Sequence, residues 1–445
     1  MKRFLSVILL TLLLSSSRGQ SALEGYIEQA LKTNLSLQQK QADWKSSLLA
    51  LKEAHSYFLP TTWFEGQYTL AQGGRAIEIP IGDLLNPVYK TLNQLTSSNA
   101  FPTVSNAKEG FFPNNFYDTR IKTTMPILNN SIRTNESVKK DLAAIQELTV
   151  ESYKRELIKE VKTAYYQYLQ ALNAVAIYES AKLVVQQQVR VQQALLKEGK
   201  SLPAYLTRSE TELLSIEKDI YSAKNRSETA AAYLNFLLNR SLSESVIKED
   251  MVAPQLPESV ISNTLNLGNR EELTQLTTTK KIQESVLKMR ERYYRPQLNA
   301  FLDLGSQGFD FKVKSSSFFY LGGFQLNIPI YSGNRNKVQI ETAKTDLKKI
   351  ELRQAEVNQQ LNLELFQTSQ QLKTSYRQFQ TDLSREHTAA QYYRLIEKGF
   401  KEGVNSFIEL LDARNQWTLS QLQTNNDKYL FYIQLSNYNR QSIQP

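Results

Sequence analysis

The sequence predicts a mainly α-helical chain with a β-barrel portion: long antiparallel helical hairpins and four strands per chain. Three observations carry this expectation. Two very long spans contain neither glycine nor proline. Each carries an apolar stripe of helical period, and short segments of period-two alternation precede them. With 445 residues, 41% apolar and 22% charged, the chain has the makeup of a folded protein, not a disordered one. It has no cysteine, which excludes disulfides, thiolate metal sites and cysteine nucleophiles. Two histidines, His55 and His387, are too few for a multi-histidine metal cage. The formal charge is +9, but basic and acidic residues are interspersed without a basic block. That describes a solvated surface, and no nucleic-acid partner is expected.

Residues 1–19 read as a secretory signal peptide: Lys2 and Arg3, an apolar run from Phe4 to Leu14, then Ser17 and Gly19 as small residues before cleavage. Eleven residues cannot cross ~30 Å of hydrocarbon as a helix. Cleavage after Gly19 removes Lys2, Arg3 and Arg18 and no acid, which takes three charges from +9 and leaves +6. No later apolar run approaches the ~18 residues of a spanning helix, so an exported chain of this kind crosses a membrane only as strands.

The helical spans run from Ile127 to Glu198 and from Asn334 to Lys398, 72 and 65 residues. The first carries Val138, Leu142, Ile145, Thr149, Tyr153, Leu157, Val161, Tyr165, Tyr168 and Leu172. The second carries Val357, Leu361, Leu365, Thr368, Leu372, Tyr376, Phe379 and Leu383. Steps of three and four call for helix packed on helix. At 1.5 Å per residue each helix is roughly 100 Å long. The spans break at Lys197-Glu198-Gly199-Lys200-Ser201 and at Lys401-Glu402-Gly403-Val404-Asn405, with Gly399 just before the second. Glycine beside lysine is a helix stop. Helical sequence resumes over Leu206–Leu238 and Phe407–Tyr438, so each half holds a helical hairpin.

Strands precede each long helix. Tyr57-Phe58-Leu59-Pro60 and Tyr293-Tyr294-Arg295-Pro296 open them, and Met125-Pro126-Ile127-Leu128 and Ile328-Pro329-Ile330-Tyr331 close them. Along Tyr117–Ile127 one face carries Tyr117, Thr119, Ile121, Thr123, Met125 and Ile127, against Asp118, Arg120 and Lys122 on the other. Leu298, Ala300, Leu302 and Leu304 share a face, as do Phe318, Tyr320, Phe324, Leu326, Ile328 and Ile330. Such alternation fits a transmembrane barrel with a polar lumen and a soluble half-buried sheet alike. Aromatics at the strand borders (Tyr57, Phe58, Trp63, Tyr293, Tyr294, Tyr331) favour membrane interface belts.

The landmarks repeat: Pro126 to Pro329 is 203 residues and Gly199 to Gly403 is 204. Pro60 to Pro296 is 236, so the first copy carries 33 extra residues, placed in a long loop over Ala71–Asn115 with a short helix near Leu84–Leu95. The expected organisation is a first repeat over 20–245, a linker over 246–258 and a second repeat over 259–445. Four strands are fewer than the eight or so that close a single-chain barrel, and exposed edges need partners. Three copies would supply twelve strands.

These residues resemble the TolC-type outer-membrane efflux proteins over nearly the whole mature chain. The resemblance rests on Ala30-Leu31-Lys32-Thr33-Asn34, the paired strand openings and exits, and the turn from Glu402 through Phe407-Ile408-Glu409-Leu410-Leu411-Asp412-Ala413-Arg414. It implies a homotrimer with a twelve-stranded barrel in the outer membrane and a helical tunnel in the periplasm. That assembly is a passive exit duct for efflux or type I secretion, docked to a periplasmic adaptor and an inner-membrane pump. It implies adaptor docking at Gly199, Lys200 and Ser201 and at Gly403, Val404 and Asn405. Glu409 and Asp412 match inward acidic positions, each of which would form a ring of three carboxylates. The family's gate pairs an arginine and a tyrosine with an aspartate, but those positions hold Asn405, Phe400 and Tyr205. No phosphate loop, serine elbow or metal-ligand helix motif occurs, so neither enzyme chemistry nor a cofactor is expected. The alternative from another class is a periplasmic coiled-coil scaffold without a pore.

Overall fold

The computed structural model describes residues 21–262, 267 and 270–442. The signal peptide expected at 1–19 lies outside them. The helices are α1 (Ala22–Thr33), α2 (Leu35–Ser56), α3 (Ile81–Thr96), α4 (Asn130–Lys197), α5 (Pro203–Leu237), α6 (Glu258–Ile261), α7 (Glu271–Glu291), α8 (Arg335–Lys401) and α9 (Phe407–Gln441). The strands are β1 (Thr61–Thr69), β2 (Ala76–Ile79), β3 (Ala107–Gly110), β4 (Phe116–Leu128), β5 (Gln297–Phe309) and β6 (Phe318–Asn327). The chain divides into two compact units. One takes in the described parts of Met1–Leu49, Lys140–Glu284 and Thr345–Pro445; the other is Ala50–Lys139 with Ser285–Lys344.

The first unit is helical. Its core draws Leu157, Val161, Tyr165 and Leu169 from α4, Leu234 from α5, Leu365 and Leu372 from α8, and Tyr429 and Phe431 from α9. The middle of each predicted stripe is therefore buried. Its ends are not: Leu142 and Leu383 are 39% and 50% exposed. A periodic stripe marks a packing face, and within this chain only the middle of that face is covered. The Lys32-Thr33-Asn34 motif turns α1 into α2 and fastens that corner to the end of α5. Thr33 Oγ1 donates to the Leu238 carbonyl (2.7 Å), and Asn34 donates to the Leu237 carbonyl (2.9 Å) while accepting from the Leu37 amide (3.0 Å).

An ion network closes the C-terminal end of α9. Arg155 donates to the carbonyls of Arg440 (3.1 Å) and Ser442 (2.9 Å), satisfying acceptors that a helix end leaves open. Arg440 reaches Glu272 (3.0 Å) and Glu156 (3.2 Å), and Arg270 reaches Glu272 (2.8 Å). Burial opposes ionisation of Glu272, but the hydrogen bonds and charge of Arg270, with a hydrogen bond from Arg440, hold its carboxyl down at about 2.

The second unit holds a four-stranded antiparallel sheet in the order β1-β4-β5-β6. The register lines up Phe64, Ile121, Leu304 and Tyr320 in one row, and Met125, Ala300 and Phe324 in another. These residues share an apolar face, largely exposed: Phe64 is 72% and Tyr320 81% accessible. The rows between them carry Glu65, Arg120, Lys122, Asp118, Gln67, Asp303 and Gln307 on the opposite face. There Arg120 pairs with Asp118 and lies 3.6 Å from Asp303. Trp63, expected in a border belt, instead pairs in register with Lys122 on the polar face, its ring 5.7 Å from the Lys122 ammonium. Pro126 lies inside β4, near the end that the Met125–Leu128 segment was expected to mark. The strand runs on to Leu128 with a register shift between Pro126 and Leu128, because a residue without N–H cannot keep the ladder regular.

The stretch 71–115, expected as a long loop with a short helix, also contains a ribbon, β2 paired with β3. Asparagines pin α3 to the chain that follows it. Asn86 both donates to and accepts from Val104 (2.9 and 2.8 Å), and Asn93 does the same with Phe101 (2.8 and 3.1 Å).

Two outcomes follow. Leu372, fully buried on α8, leaves a cavity when cut back, so Leu372→Ala should cost about 2–5 kcal/mol in equilibrium unfolding of the detergent-purified protein. Glu272 has a depressed pKa, so its contribution is present above the ordinary carboxylate range and is lost as pH falls toward about 2. Acid unfolding should therefore be less steep in Glu272→Gln than in the wild type.

Candidate functional site

Both helical hairpins turn with the same backbone device. At the end of α4 the Gly199 amide bonds the Leu196 carbonyl (3.0 Å) and the Lys200 amide the Leu195 carbonyl (2.8 Å). At the end of α8 the Gly403 amide bonds the Phe400 carbonyl (3.1 Å) and the Val404 amide the Gly399 carbonyl (2.8 Å). This is the Schellman arrangement, which needs a left-handed residue at the turn. Gly199 and Gly403 supply it with φ of 68° and 76°. Gly399, expected just before the break, lies within α8, where a Cβ would sit 2.0 Å from Asn405 Oδ1. Its absence lets the turn fold back against the helix.

The turns leave differently. After the first, Ser201 donates to Gln192 Oε1 (2.6 Å), and α5 starts at Pro203 without a side-chain cap. After the second, Ser406 caps α9. Its hydroxyl accepts from the Glu409 amide (3.3 Å), and the Glu409 carboxylate accepts from the Ser406 amide (2.7 Å) and from Asn405 (3.3 Å). This reciprocal capping box satisfies orphan donors at both ends of one turn. The Ser406 amide and hydroxyl, then Asn405, pull the Glu409 pKa down. Asp412 is exposed one turn further along and accepts from Gln416 (2.6 Å).

Beneath the turns lies an aromatic cluster. Buried Phe407, the first residue of α9, packs on Tyr205 near the start of α5 (ring centroids 5.4 Å) and on Phe400 near the end of α8 (6.2 Å). The two turns therefore sit side by side. Two of the three positions where the resemblance would place a gate lock are thus occupied by ring-to-ring packing, and the third, Asn405, holds Glu409. Further in, Tyr393 stacks on Trp417 (5.3 Å), and buried Arg414 pairs with Glu212 (2.7 Å), joining α9 to α5. Outward, Leu202, Val404 and Ile408 expose more than half of their surface, and Lys200 is exposed beside them.

The structure thus brings Asn405 to Glu409 and leaves Asp412 with a partner on its own helix. Reasoning from sequence missed the Phe407 cluster and the cap. The Ser406-x-x-Glu409 spacing carried the signal for the cap. Among the described residues no group of three or more acidic or histidine side chains could hold a metal ion.

Comparison with known proteins adds a family match over part of the chain. Residues 277–437 match the family model described as "Outer membrane efflux protein". Among curated proteins none matches by sequence. Solved structures do. The Campylobacter jejuni CmeC outer membrane channel is 15% identical with a TM-score of 0.73, covering 95% of this chain and 85% of that one. The Vibrio cholerae outer membrane protein VceC is 12% identical with a TM-score of 0.74, covering 94% and 95%. The open state of the Neisseria gonorrhoeae MtrE outer membrane channel is 15% identical with a TM-score of 0.71, covering 94% and 88%. The chain therefore has the fold of the TolC-type outer-membrane channels. Over 277–437 it also carries the sequence signature of the outer membrane efflux proteins, and the resemblance drawn from its motifs holds.

Because both turn glycines hold a positive φ, Gly403→Val should cost about 1–2 kcal/mol, with Gly403→Asn milder. Ser406→Ala should cost about 1 kcal/mol through loss of the cap. Equilibrium unfolding of the purified variants checks both.

Proposed function

We propose that this chain is an outer-membrane exit duct of a tripartite efflux or type I secretion assembly, passing small molecules or proteins passively out of the periplasm. The observation that carries the reading is the four-stranded sheet, exposed and apolar on one face and charged on the other. In hydrocarbon every backbone donor and acceptor must be paired, and among the described residues β1 and β6 are the sheet's two edges. A homotrimer joins β1 of one copy to β6 of the next. The result is twelve strands, with Phe64, Ile121, Leu304 and Tyr320 toward outer-membrane lipid and Arg120, Asp118 and Asp303 toward a polar lumen. Among the described residues no helix is long and apolar enough to cross a membrane.

The side-by-side turns are the docking tip. Gly199, Lys200 and Ser201 with Gly403, Val404 and Asn405 meet a periplasmic adaptor, which in turn holds the inner-membrane pump. Exposed Leu202, Val404 and Ile408 offer apolar surface to helices of the adaptor. Asp412, with Glu409 behind it as the cap, supplies acidic rings at the mouth, three carboxylates each in the trimer. The chain works as a duct and not as an enzyme, with energy supplied by the pump.

The unboiled protein should migrate as a detergent-stable trimer and collapse to the monomer on boiling, and it should open ion-conducting steps in planar bilayers. Recovery as a freely soluble monomer without detergent would contradict the duct. Val404→Asp should leave the trimer intact while lowering the yield of adaptor cross-links at the tip several-fold. An unchanged yield would remove Val404 from the docking surface.

A further inference from the structure

Asp382 on α8 and Asp427 on α9 are buried, 8% and 5% exposed, far from either turn in sequence. The Thr424 hydroxyl on α9 donates to the Asp382 backbone carbonyl (3.1 Å), so the two helices touch at this level, one turn from Asp427. Asp382 Oδ1 accepts from Arg385 (2.8 Å), and Asp427 Oδ1 accepts from Gln423 (3.2 Å). Asp427 Oδ2 is buried and meets no donor. Across the Thr424 contact the Asp382 and Asp427 side chains lie within hydrogen-bonding reach of each other. Two carboxylates cannot face each other away from water with nothing between them. Each is an acceptor only, and like charges in a low dielectric repel. Such a contact becomes favourable when one oxygen carries a proton and donates it to the other.

We propose that Asp382 and Asp427 hold one proton between them, and that this O–H···O bond is a latch fastening α8 to α9, closed by acid and released when the proton leaves. The proposal does not depend on the channel reading. Burial, then the facing Asp382, pushes Asp427 up to about 6, while Asp382 is shifted down by its hydrogen bond with Asp427 and by Arg385. The two titrate as a pair. From α8 the charged neighbour is Arg385. From α4 and α5 the groove that Asp427 lines presents Tyr178, Lys218, Asp219, Tyr221, Arg226 and Tyr233. Lys428, next to Asp427 on α9, is turned to the Met251 carbonyl (2.9 Å). Arg385 is thus the cation committed to the pair, and it stands on the Asp382 side, which leaves the proton to Asp427.

The direction of the pH effect follows. A carboxyl whose folded pKa lies above its unfolded value of 3.8 stabilises the fold when protonated. That contribution is complete below the unfolded value and disappears as pH rises through about 6.

The test uses the full chain purified in detergent. Infrared difference spectra report protonated carboxyl groups, and thermal unfolding reports the latch. The wild type should show a protonated-carboxyl band at about pH 5 that is gone by about pH 7.5, and its unfolding midpoint should fall over the same range. Asp427→Asn supplies a permanent donor to Asp382, so it should lose the band and keep a constant midpoint across that range. Asp382→Asn should lose the same band, which covers the case in which Asp427→Asn does not fold. No titrating band in the wild type, a band that survives in Asp427→Asn or Asp382→Asn, or a midpoint that falls as steeply in Asp427→Asn as in the wild type, would each overturn the proposal.

Discussion

A backbone amide in hydrocarbon has no water to turn to, and a β-sheet with two free edges cannot rest there. In the proposed duct, that constraint organises the second compact unit. Its four strands are in register, its apolar residues share one face, and its charged residues share the other. Nothing in that pattern requires help from outside except β1 and β6. In the proposed trimer each copy is one third of a cylinder wall, and its stability as a membrane protein is inseparable from assembly.

The helical unit answers to a different requirement. A helix of 67 or 68 residues buries its stripe only where another helix lies against it. The core gathers around Leu157, Val161 and Tyr165 on α4 and Leu365 and Leu372 on α8, and the stripe ends at Leu142 and Leu383 remain open. The trimer reading gives those exposed ends a use, since adjoining subunits would bring further helices alongside. Two polar devices restrain the C-terminal ends of α5 and α9: the Thr33–Asn34 corner on α5, and the Arg155–Arg440–Glu272 network on the last turn of α9.

Much of this was legible in sequence because the informative residues are those with the strongest local rules. Absence of glycine and proline marked α4 and α8, and Gly199 and Gly403 marked the turns, since a left-handed position selects glycine whatever surrounds it. The alternation of Ile121, Thr123 and Met125 gave the correct face. Other features depended on tertiary contact. Trp63 alternates with Glu65 and Gln67, a local sign of the polar face that its aromatic ring masked until Lys122 is set beside it. The ribbon of β2 and β3 is four residues a side, too short to carry a period. Glu409 has the residue type of an acidic ring and the spacing of a helix cap, and the structure commits its carboxylate to Ser406. Phe400 and Tyr205 were read for what they lack, a hydroxyl and a carboxylate, when their chemistry is to pack on Phe407.

The absence of native cysteine permits a direct test of the shared cylinder. Within one copy β1 and β6 stand three strand spacings apart, about 14 Å, beyond the reach of a disulfide. Single cysteines placed along β1 and along β6, combined pairwise and oxidised in membranes, should give covalent dimers and trimers of the chain at one register. Cross-links that form inside one polypeptide, or none between copies at any register, would contradict closure by neighbouring subunits.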